Sequence, residues 1–241
     1  VISQAPIRIH KSIDSTNLEA QRLVASGEFG PLWIVADEQV SGRGRLGRQW
    51  ASPPGNLYST LLLPTDAAHS TIPQLAFVVA LAVHDTVASL CPDATVKLKW
   101  PNDCLLNGGK VAGILCESVG PGRVAIGCGI NVAHSPQGLA YATAHLHQAR
   151  SDVSIKVVFT TYRTALQARF AQWNSGASFA AIIADWQMRG QGLNQAVEVN
   201  QGGVVRRGVF LGLAADGALR LQKPDGTVEN VYAGDVSQGA G

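Results

Sequence analysis

Several familiar signatures are missing from this 241-residue chain, and each absence removes a class of function. Charged residues make up only 15%, with 19 basic against 17 acidic side chains and a formal net charge of +2. A nucleic-acid-binding domain ordinarily carries a marked basic excess, so that class is disfavoured. The cysteines Cys91, Cys104, Cys116 and Cys128 include no Cys-x-x-Cys pair, which argues against a metal knuckle or a disulfide framework. They suit buried, reduced thiols that pack as small hydrophobes. There is no G-x-S-x-G elbow, no H-E-x-x-H helix and no Walker A Gly-Lys-Ser/Thr, and no nucleophile stands out. His145 and His147 are spaced like a metal pair, but no third ligand accompanies them, and a surface position is expected. The N-terminus carries Arg8, His10 and Lys11 and no apolar block, so it does not read as a leader. The longest charge-free apolar stretch, Thr71 to His84, is shorter than the about 20 residues that a membrane span needs. A soluble, cytoplasmic protein with no membrane partner is the expectation.

What is present is enough apolar material, 46%, for a sizeable core. Ser15-Thr16-Asn17 before Leu18, Ala20, Leu23 and Val24, with Gly27 behind, reads as a capped short helix. Trp33 to Val40 and Leu57 to Leu63 read as strands. Apolar positions from Ile72 to Leu90 recur at helical spacing. Val96, Leu98 and Trp100 alternate with lysines. Leu105 to Asn107 and Val111 to Val119 form a hairpin around Gly108-Gly109, and Val124 to Val132 is the next strand. Helices follow over Ile155 to Trp173 and Phe179 to Met188. After Gly190 the texture changes to short β-rich runs broken by Asp216-Gly217 and Pro224-Asp225-Gly226, which suggests a small antiparallel barrel. The units expected are residues 1–190 and 191–241.

Gly42-Arg43-Gly44-Arg45-Leu46-Gly47-Arg48-Gln49-Trp50 is the most distinctive segment. Formally it contains G-x-G-x-x-G after a strand. The dinucleotide reading requires a helix to open at the last glycine, and Pro53, Pro54 and Gly55 leave no room for one. Three arginines interleaved with glycines suit an anion cradle instead, since guanidinium groups fork onto carboxylate or phosphate oxygens. Trp50 adds a flat face for stacking. In Lys99-Trp100-Pro101-Asn102-Asp103 the proline ends a strand, leaving Asn102 to read a ligand and Asp103 to hold Mg²⁺, or the pair to make an Asx turn. Lys110 opens the returning strand; it suits charge developing at an acyl-phosphate, although a lysine there is ordinarily only solvated. Gly113 in mid-strand suggests close approach by a ligand. Gly127 and Gly129, before Ile130-Asn131, leave a slot or mark a bulge.

In their order, Ser15-Thr16-Asn17, Gln39, the glycine–arginine loop through Trp50, Lys99-Trp100-Pro101-Asn102-Asp103, Lys110-x-Ala112-Gly113-Ile114 and Gly127-x-Gly129-Ile130-Asn131 resemble the biotin–protein ligases, or holocarboxylase synthetases. The resemblance covers nearly the whole chain. It implies an α+β fold: a mixed β-sheet flanked by helices, of the class II synthetase-like biotin–lipoate ligase type, then a C-terminal SH3-like β-barrel. It implies activation of biotin by ATP with Mg²⁺ to biotinyl-5′-AMP, then transfer to a lysine of a biotin carboxyl carrier protein. Arg45 and Lys110 are the implied catalytic cations. Ser15, Thr16, Asn17, Gln39, Gly42, Arg43, Gly44, Arg45, Lys110 and Gly113 are the implied biotin site. Arg45, Arg48, Trp50, Asn102, Asp103, Lys110 and Asn131 would meet the adenylate. Mg²⁺ would be held by Asp103 or by the phosphates alone, and the loop would fold over the intermediate. The family also contains dimers joined along sheet edges, so a homodimer is compatible.

A lipoate or octanoate ligase would share fold and chemistry but carries an arginine-glycine-glycine-rich signature, absent here. A silent biotin-binding module would not need both Arg45 and Lys110. Some family members carry an N-terminal DNA-binding domain. Ser15-Thr16-Asn17 begins too early for one in this sequence, and together with the near-neutral charge this predicts no sequence-specific DNA binding. A gel shift at physiological salt is expected to show no sequence-selective complex; a tight selective one overturns this expectation.

Overall fold

The computed structural model describes residues 2–65 and 71–239. Val1, residues 66–70 and the last two residues lie outside it, and with them part of the expected 1–190 and 191–241 units. The chain runs β1 (Ile7–Ile13), α1 (Thr16–Ala25), β2 (Leu32–Gln39), β3 (Leu57–Pro64), α2 (Ile72–Leu90), β4 (Val96–Lys99), β5 (Asp103–Leu106), β6 (Gly109–Gly120) and β7 (Arg123–Ile130). Helices α3 (Ile155–Trp173) and α4 (Phe179–Arg189) follow. Then come β8 (Ala196–Gln201), β9 (Val204–Leu213), β10 (Leu219–Gln222), β11 (Val228–Val231) and β12 (Asp235–Gln238). The elements read from the sequence are present to within the one or two residues by which such ends are defined. The exception is β1, which the sequence reading passed over. It is an edge strand with Ile7 and Ile9 exposed, so no apolar block marks it.

The first sheet has the order β1-β2-β3-β7-β6-β5-β4. β1 and β2 are parallel and the other pairs antiparallel, giving the mixed sheet expected. Strand alternation divides its two faces. On β7, Val124, Ile126, Cys128 and Ile130 enter the main core with α2, α3 and α4. Ala125 faces the other way, into a small cluster with Ala20, Leu32, Ile34 and Leu62 beneath α1. Beyond Ala125 on that second face stand Gly127 and Gly129, where the sheet has no side chains of its own. Cys104 and Cys128 lie in the main core, and burial pushes both thiols up, Cys128 to about 12.

Helix α2 is long and apolar enough to cross a membrane by length and composition. It extends the Thr71–His84 stretch past Asp85 to Leu90, so the span judged too short in the sequence belongs to a longer helix. Here it packs against the sheet and α3, with Leu75, Val79, Leu81 and Val83 buried in the core. Asp85 anchors it. Arg169 of α3 donates to Asp85 Oδ2 at 2.6 Å and to Asp185 Oδ2 of α4 at 2.5 Å, tying the three helices together.

The second sheet, order β11-β10-β9-β8-β12, is wholly antiparallel, the SH3-like unit expected after Gly190. A register shift between Arg220 and Leu221 bends it. It docks on the first sheet through buried Trp100, whose indole N–H donates to Gly217 O at 3.1 Å. Gln191 N–H adds a bond to Leu98 O at 2.7 Å.

Burial pushes the Asp85 carboxyl up, but bonds from His84 and Arg169 pull it to about 2, below its ordinary 3.8. A depressed folded-state pKa contributes stability that is complete above the ordinary value and lost as pH falls through the folded one. Melting temperature is therefore expected to fall between about pH 4 and pH 2. Asp85→Asn is expected to melt lower at neutral pH and to flatten that acid dependence. Thermal unfolding across the window checks both; an unchanged acid slope removes Asp85 from it.

Candidate active site

The bare face of the sheet is the floor of a cleft of about 460 Å³. A Cβ added at Gly127 would strike the Asn17 amide, and one at Gly129 would lie 2.5 Å from the Trp50 indole nitrogen. At Gly113, on the neighbouring strand, it would meet the Trp50 ring at 3.0 Å. Glycine here makes room for protein side chains, which occupy the slot that the sequence left open as ligand space or a bulge. β7 continues past both glycines in unbroken register with β3 and β6, so no bulge forms there.

One end of the cleft is polar. Of Ser15-Thr16-Asn17, only Ser15 stands at the helix cap, and its side chain makes no capping bond. Thr16 and Asn17 lie in the first turn, buried against the sheet. Gln39 Oε1 accepts from the Thr16 amide at 2.8 Å, and its Nε2 donates to Ser52 Oγ at 3.0 Å. Thr60, from β3, donates to Asn17 Oδ1 at 2.6 Å and lies 2.8 Å from the Thr16 hydroxyl.

The glycine–arginine loop is a small closed hairpin. Trp50 N–H donates to Gly42 O at 2.9 Å and Gly44 N–H to Arg48 O at 2.7 Å. Those two amides are spent inside the loop. The tip turns through Leu46 and Gly47, both left-handed, at φ 56° and 73°. A three-residue turn over Arg45–Gly47 replaces the helix that a dinucleotide site would need. Gly42 is fixed by space: a Cβ there would lie 2.5 Å from Ser52 Oγ.

The other end of the cleft is cationic, and adjacent residues sort the cations. Arg45 donates to Asn102 Oδ1 at 3.1 Å, and Asn102 Nδ2 donates to Ile114 O at 2.9 Å. Lys110 Nζ lies 2.8 Å from Asp103 Oδ1 and is flanked by the rings of Trp50 at 5.4 Å and Tyr141 at 5.6 Å. Burial pushes the Arg45 guanidinium down, and the charges of Asp235 and Asp103 offset it. Arg48 reaches the second sheet, where both its terminal nitrogens bond Asp235 and hold that carboxyl below its usual range.

Of the residues singled out in the sequence, Ser15, Thr16, Asn17, Gln39, Arg43, Gly44, Arg45, Arg48, Trp50, Asn102, Asp103, Lys110 and Gly113 all line this one cleft. Gly42 and Asn131 do not. Asn131 is buried behind Lys110, donating to Ala144 O at 3.0 Å and to Lys110 O at 3.4 Å. Tyr58, Glu117, Tyr141 and Asp235 were missed, each lying outside a motif. His145 and His147 are half-buried rather than on the surface: His145 caps a turn, and His147 Nε2 lies 2.9 Å from Val153 O. Asp103 is a carboxylate in this cleft that could join a phosphate-bound Mg²⁺. Asp103 is already paired with Lys110, and among the described residues no group of three His, Cys, Asp or Glu converges.

Comparison with known proteins gives a consistent picture. The model of the biotin/lipoate A/B protein ligase family matches residues 9–132, and that of the biotin protein ligase C-terminal domain matches residues 192–239. The chain is 40% identical over 224 residues to a biotin–[acetyl-CoA-carboxylase] ligase of Paracoccus denitrificans, covering 88% of this chain and 92% of that one. It is 28% identical to the bifunctional ligase/repressor BirA of Bacillus subtilis, over 95% of this chain and 73% of that one. The solved structure of a biotin protein ligase from Aquifex aeolicus in complex with biotin and ATP superposes with a TM-score of 0.83 at 26% identity, covering 96% and 97% of the two chains.

Gly129→Ala is expected to drive Trp50 off the sheet at a cost of about 1–3 kcal/mol. In a Trp50→Ala background the same Gly129→Ala change should cost little, because the clash is then gone. Denaturant unfolding of wild type, both single variants and the double variant measures it; no loss in the wild-type background, or an equal loss in both, counts against the packing described.

Proposed function

The chain belongs to the biotin protein ligase family, whose members are ATP-dependent ligases, and from that premise we propose that this cleft makes biotinyl-5′-AMP and passes the biotinyl group to a lysine of a biotin carboxyl carrier protein. The observation that carries the reading is the layout of the cleft. A polar pocket at Thr16, Asn17 and Gln39 lies at one end, and two cations held by neighbouring Asn102 and Asp103 lie at the other.

The reaction joins two anions. A carboxylate oxygen attacks the α-phosphorus of ATP, the P–O bond to the β-phosphate breaks, and pyrophosphate leaves. Two unit charges about 4 Å apart repel by about 4 kcal/mol at an effective dielectric of about 20. Arg45 and Lys110 lie where they can offset that repulsion. Lys110 is poised to exchange Asp103 for phosphate oxygen, and Arg45 donates from a half-buried site where its charge is less screened. In the second step a neutral lysine amine of the carrier attacks the mixed anhydride's carbonyl carbon, AMP leaves, and the amine gives up a proton. No covalent enzyme intermediate is required. The loop, with exposed Leu46 at its tip and Arg48 tied to Asp235, is placed to shield the anhydride from water. ATP would bring its magnesium on its phosphates, where Asp103 could join it once Lys110 has turned to phosphate oxygen.

The wild-type protein is expected to catalyse biotin-dependent ATP–pyrophosphate exchange, and Lys110→Ala to lose it on the order of 10²–10³-fold with little change in melting temperature. Exchange that needs lipoate in place of biotin overturns the reading; unaltered exchange in a folded Lys110→Ala protein removes Lys110 from the chemistry.

A further inference from the structure

Glu117 has no part in the chemistry above, yet each of its carboxylate oxygens has a different partner in the cleft. It stands on β6 on the same face as Gly113 and Leu115, half-buried. Its Oε2 accepts from Asn17 Nδ2 at 2.8 Å, and its Oε1 lies 3.5 Å from Nη2 of Arg43, at the start of the glycine–arginine loop. We infer that Glu117 is a positioning residue: it sets the donor–acceptor sense of the polar pocket and couples that pocket to the loop. The inference rests on the reading of the cleft as a biotin and ATP site.

The argument starts from what a carboxylate can do. It accepts hydrogen bonds and donates none. Asn17 must therefore turn its amide nitrogen toward Glu117, and its second N–H meets Leu115 O at 3.3 Å. The Asn17 oxygen then faces Thr60 and takes that hydroxyl's single proton at 2.6 Å. Thr60 keeps only lone pairs for the Thr16 hydroxyl, 2.8 Å away. Thr16 thereby spends its one hydroxyl proton on Thr60 and meets Gln39 Oε1 through its backbone N–H at 2.8 Å; Gln39 bonds Ser52, and Ser52 donates to Trp50 O at 2.8 Å. The path ends on the last residue of the loop whose beginning Glu117 holds through Arg43. The sense set by Glu117 ends at Thr16, so the carboxylate acts on the loop by charge at Arg43, while the Gln39–Ser52–Trp50 bonds tie the same pocket to the loop's other end.

The two links differ in strength. The Asn17 bond is short, charge-assisted and partly buried, whereas the Arg43 contact is long and half in solvent. Losing the first leaves the Asn17 amide held only by Leu115 O and Thr60, so its donor–acceptor sense inside the pocket is less firmly set. That penalty falls on a small ligand whose polar atoms must match the pocket. Losing the second loosens only the loop.

The test separates these links, using wild type, Glu117→Ala, Glu117→Gln, Arg43→Met and the Arg43→Met/Glu117→Gln double variant. Biotin affinity is measured by calorimetry without ATP, and the KM values for biotin and ATP by pyrophosphate exchange. Release of pre-formed biotinyl-5′-AMP is followed separately. Glu117→Ala is expected to weaken biotin binding by about tenfold or more, the loss of one hydrogen bond to a charged group, while KM for ATP stays within about twofold. Glu117→Gln can still accept from Asn17. It is expected to keep most of the biotin affinity but to release the adenylate as fast as Arg43→Met does, with the double variant no faster than either. Biotin affinity unchanged by Glu117→Ala, or lost in step with ATP affinity, overturns the proposal. If Glu117→Ala does not fold, the release rates decide: independent, multiplying effects of Glu117→Gln and Arg43→Met also overturn it. A wild-type protein that binds no biotin sinks the underlying reading of the site, whereas wild type and Glu117→Ala binding equally well sinks this inference alone.

Discussion

Asn17 and Trp50 lie where a β-sheet would normally carry its own side chains. Their closeness to the backbone is possible only because Gly113, Gly127 and Gly129 present no Cβ beneath them. The rest of the site depends on that closeness. With Trp50 seated on the sheet, the glycine–arginine loop closes through the Trp50–Gly42 backbone bond, and Arg45 then reaches Asn102. With Asn17 seated, the first turn of α1 can join Thr60, Gln39 and Glu117 in one polar group. The helices on the opposite face keep the sheet rigid behind this arrangement, and the Asp85–Arg169–Asp185 links hold those helices to one another.

Charge is arranged with similar economy. The cleft gathers several cations, and four of them have a partner that is not a ligand: Asn102 for Arg45, Asp103 for Lys110, Asp235 for Arg48 and Glu117 for Arg43. Unopposed, such a cluster would repel itself and destabilise the fold. Paired in this way, the cations are oriented in advance. The Arg43 and Arg48 pairs stand half in solvent, whereas Lys110 and Asp103 are largely buried.

Much of this was legible in the sequence. The periodic stretch from Ile72 to Leu90, the turns at Gly108-Gly109 and the change of texture after Gly190 report local chemistry, and local chemistry is what periodicity and turn residues encode. The arginines and lysines of the cleft were legible for the same reason, since each lies within a short motif. Glu117, Tyr58 and Asp235 were not. Their roles come from neighbours distant along the chain, Asn17 and Arg43 for Glu117 and Arg48 for Asp235, and no window of sequence contains both members. β1 was missed because its isoleucines face solvent at an edge. Gly127 and Gly129 were noticed, but the sequence could not distinguish space for a ligand from space for a tryptophan.

A floor built of glycine also limits how the cleft could be reshaped. Binding sites are commonly widened by shortening the side chains that line them, and at Gly113, Gly127 and Gly129 nothing remains to shorten. Enlargement for a bulkier analogue would have to come from Leu115 beside them, or from Trp50 and Asn17, which also hold the loop and the polar pocket. Narrowing is the reverse case, since one methyl group on the floor would suffice. In adaptive terms the pocket sits against a hard boundary on one side, and specificity is free to drift through Leu115, the loop and the helix above it.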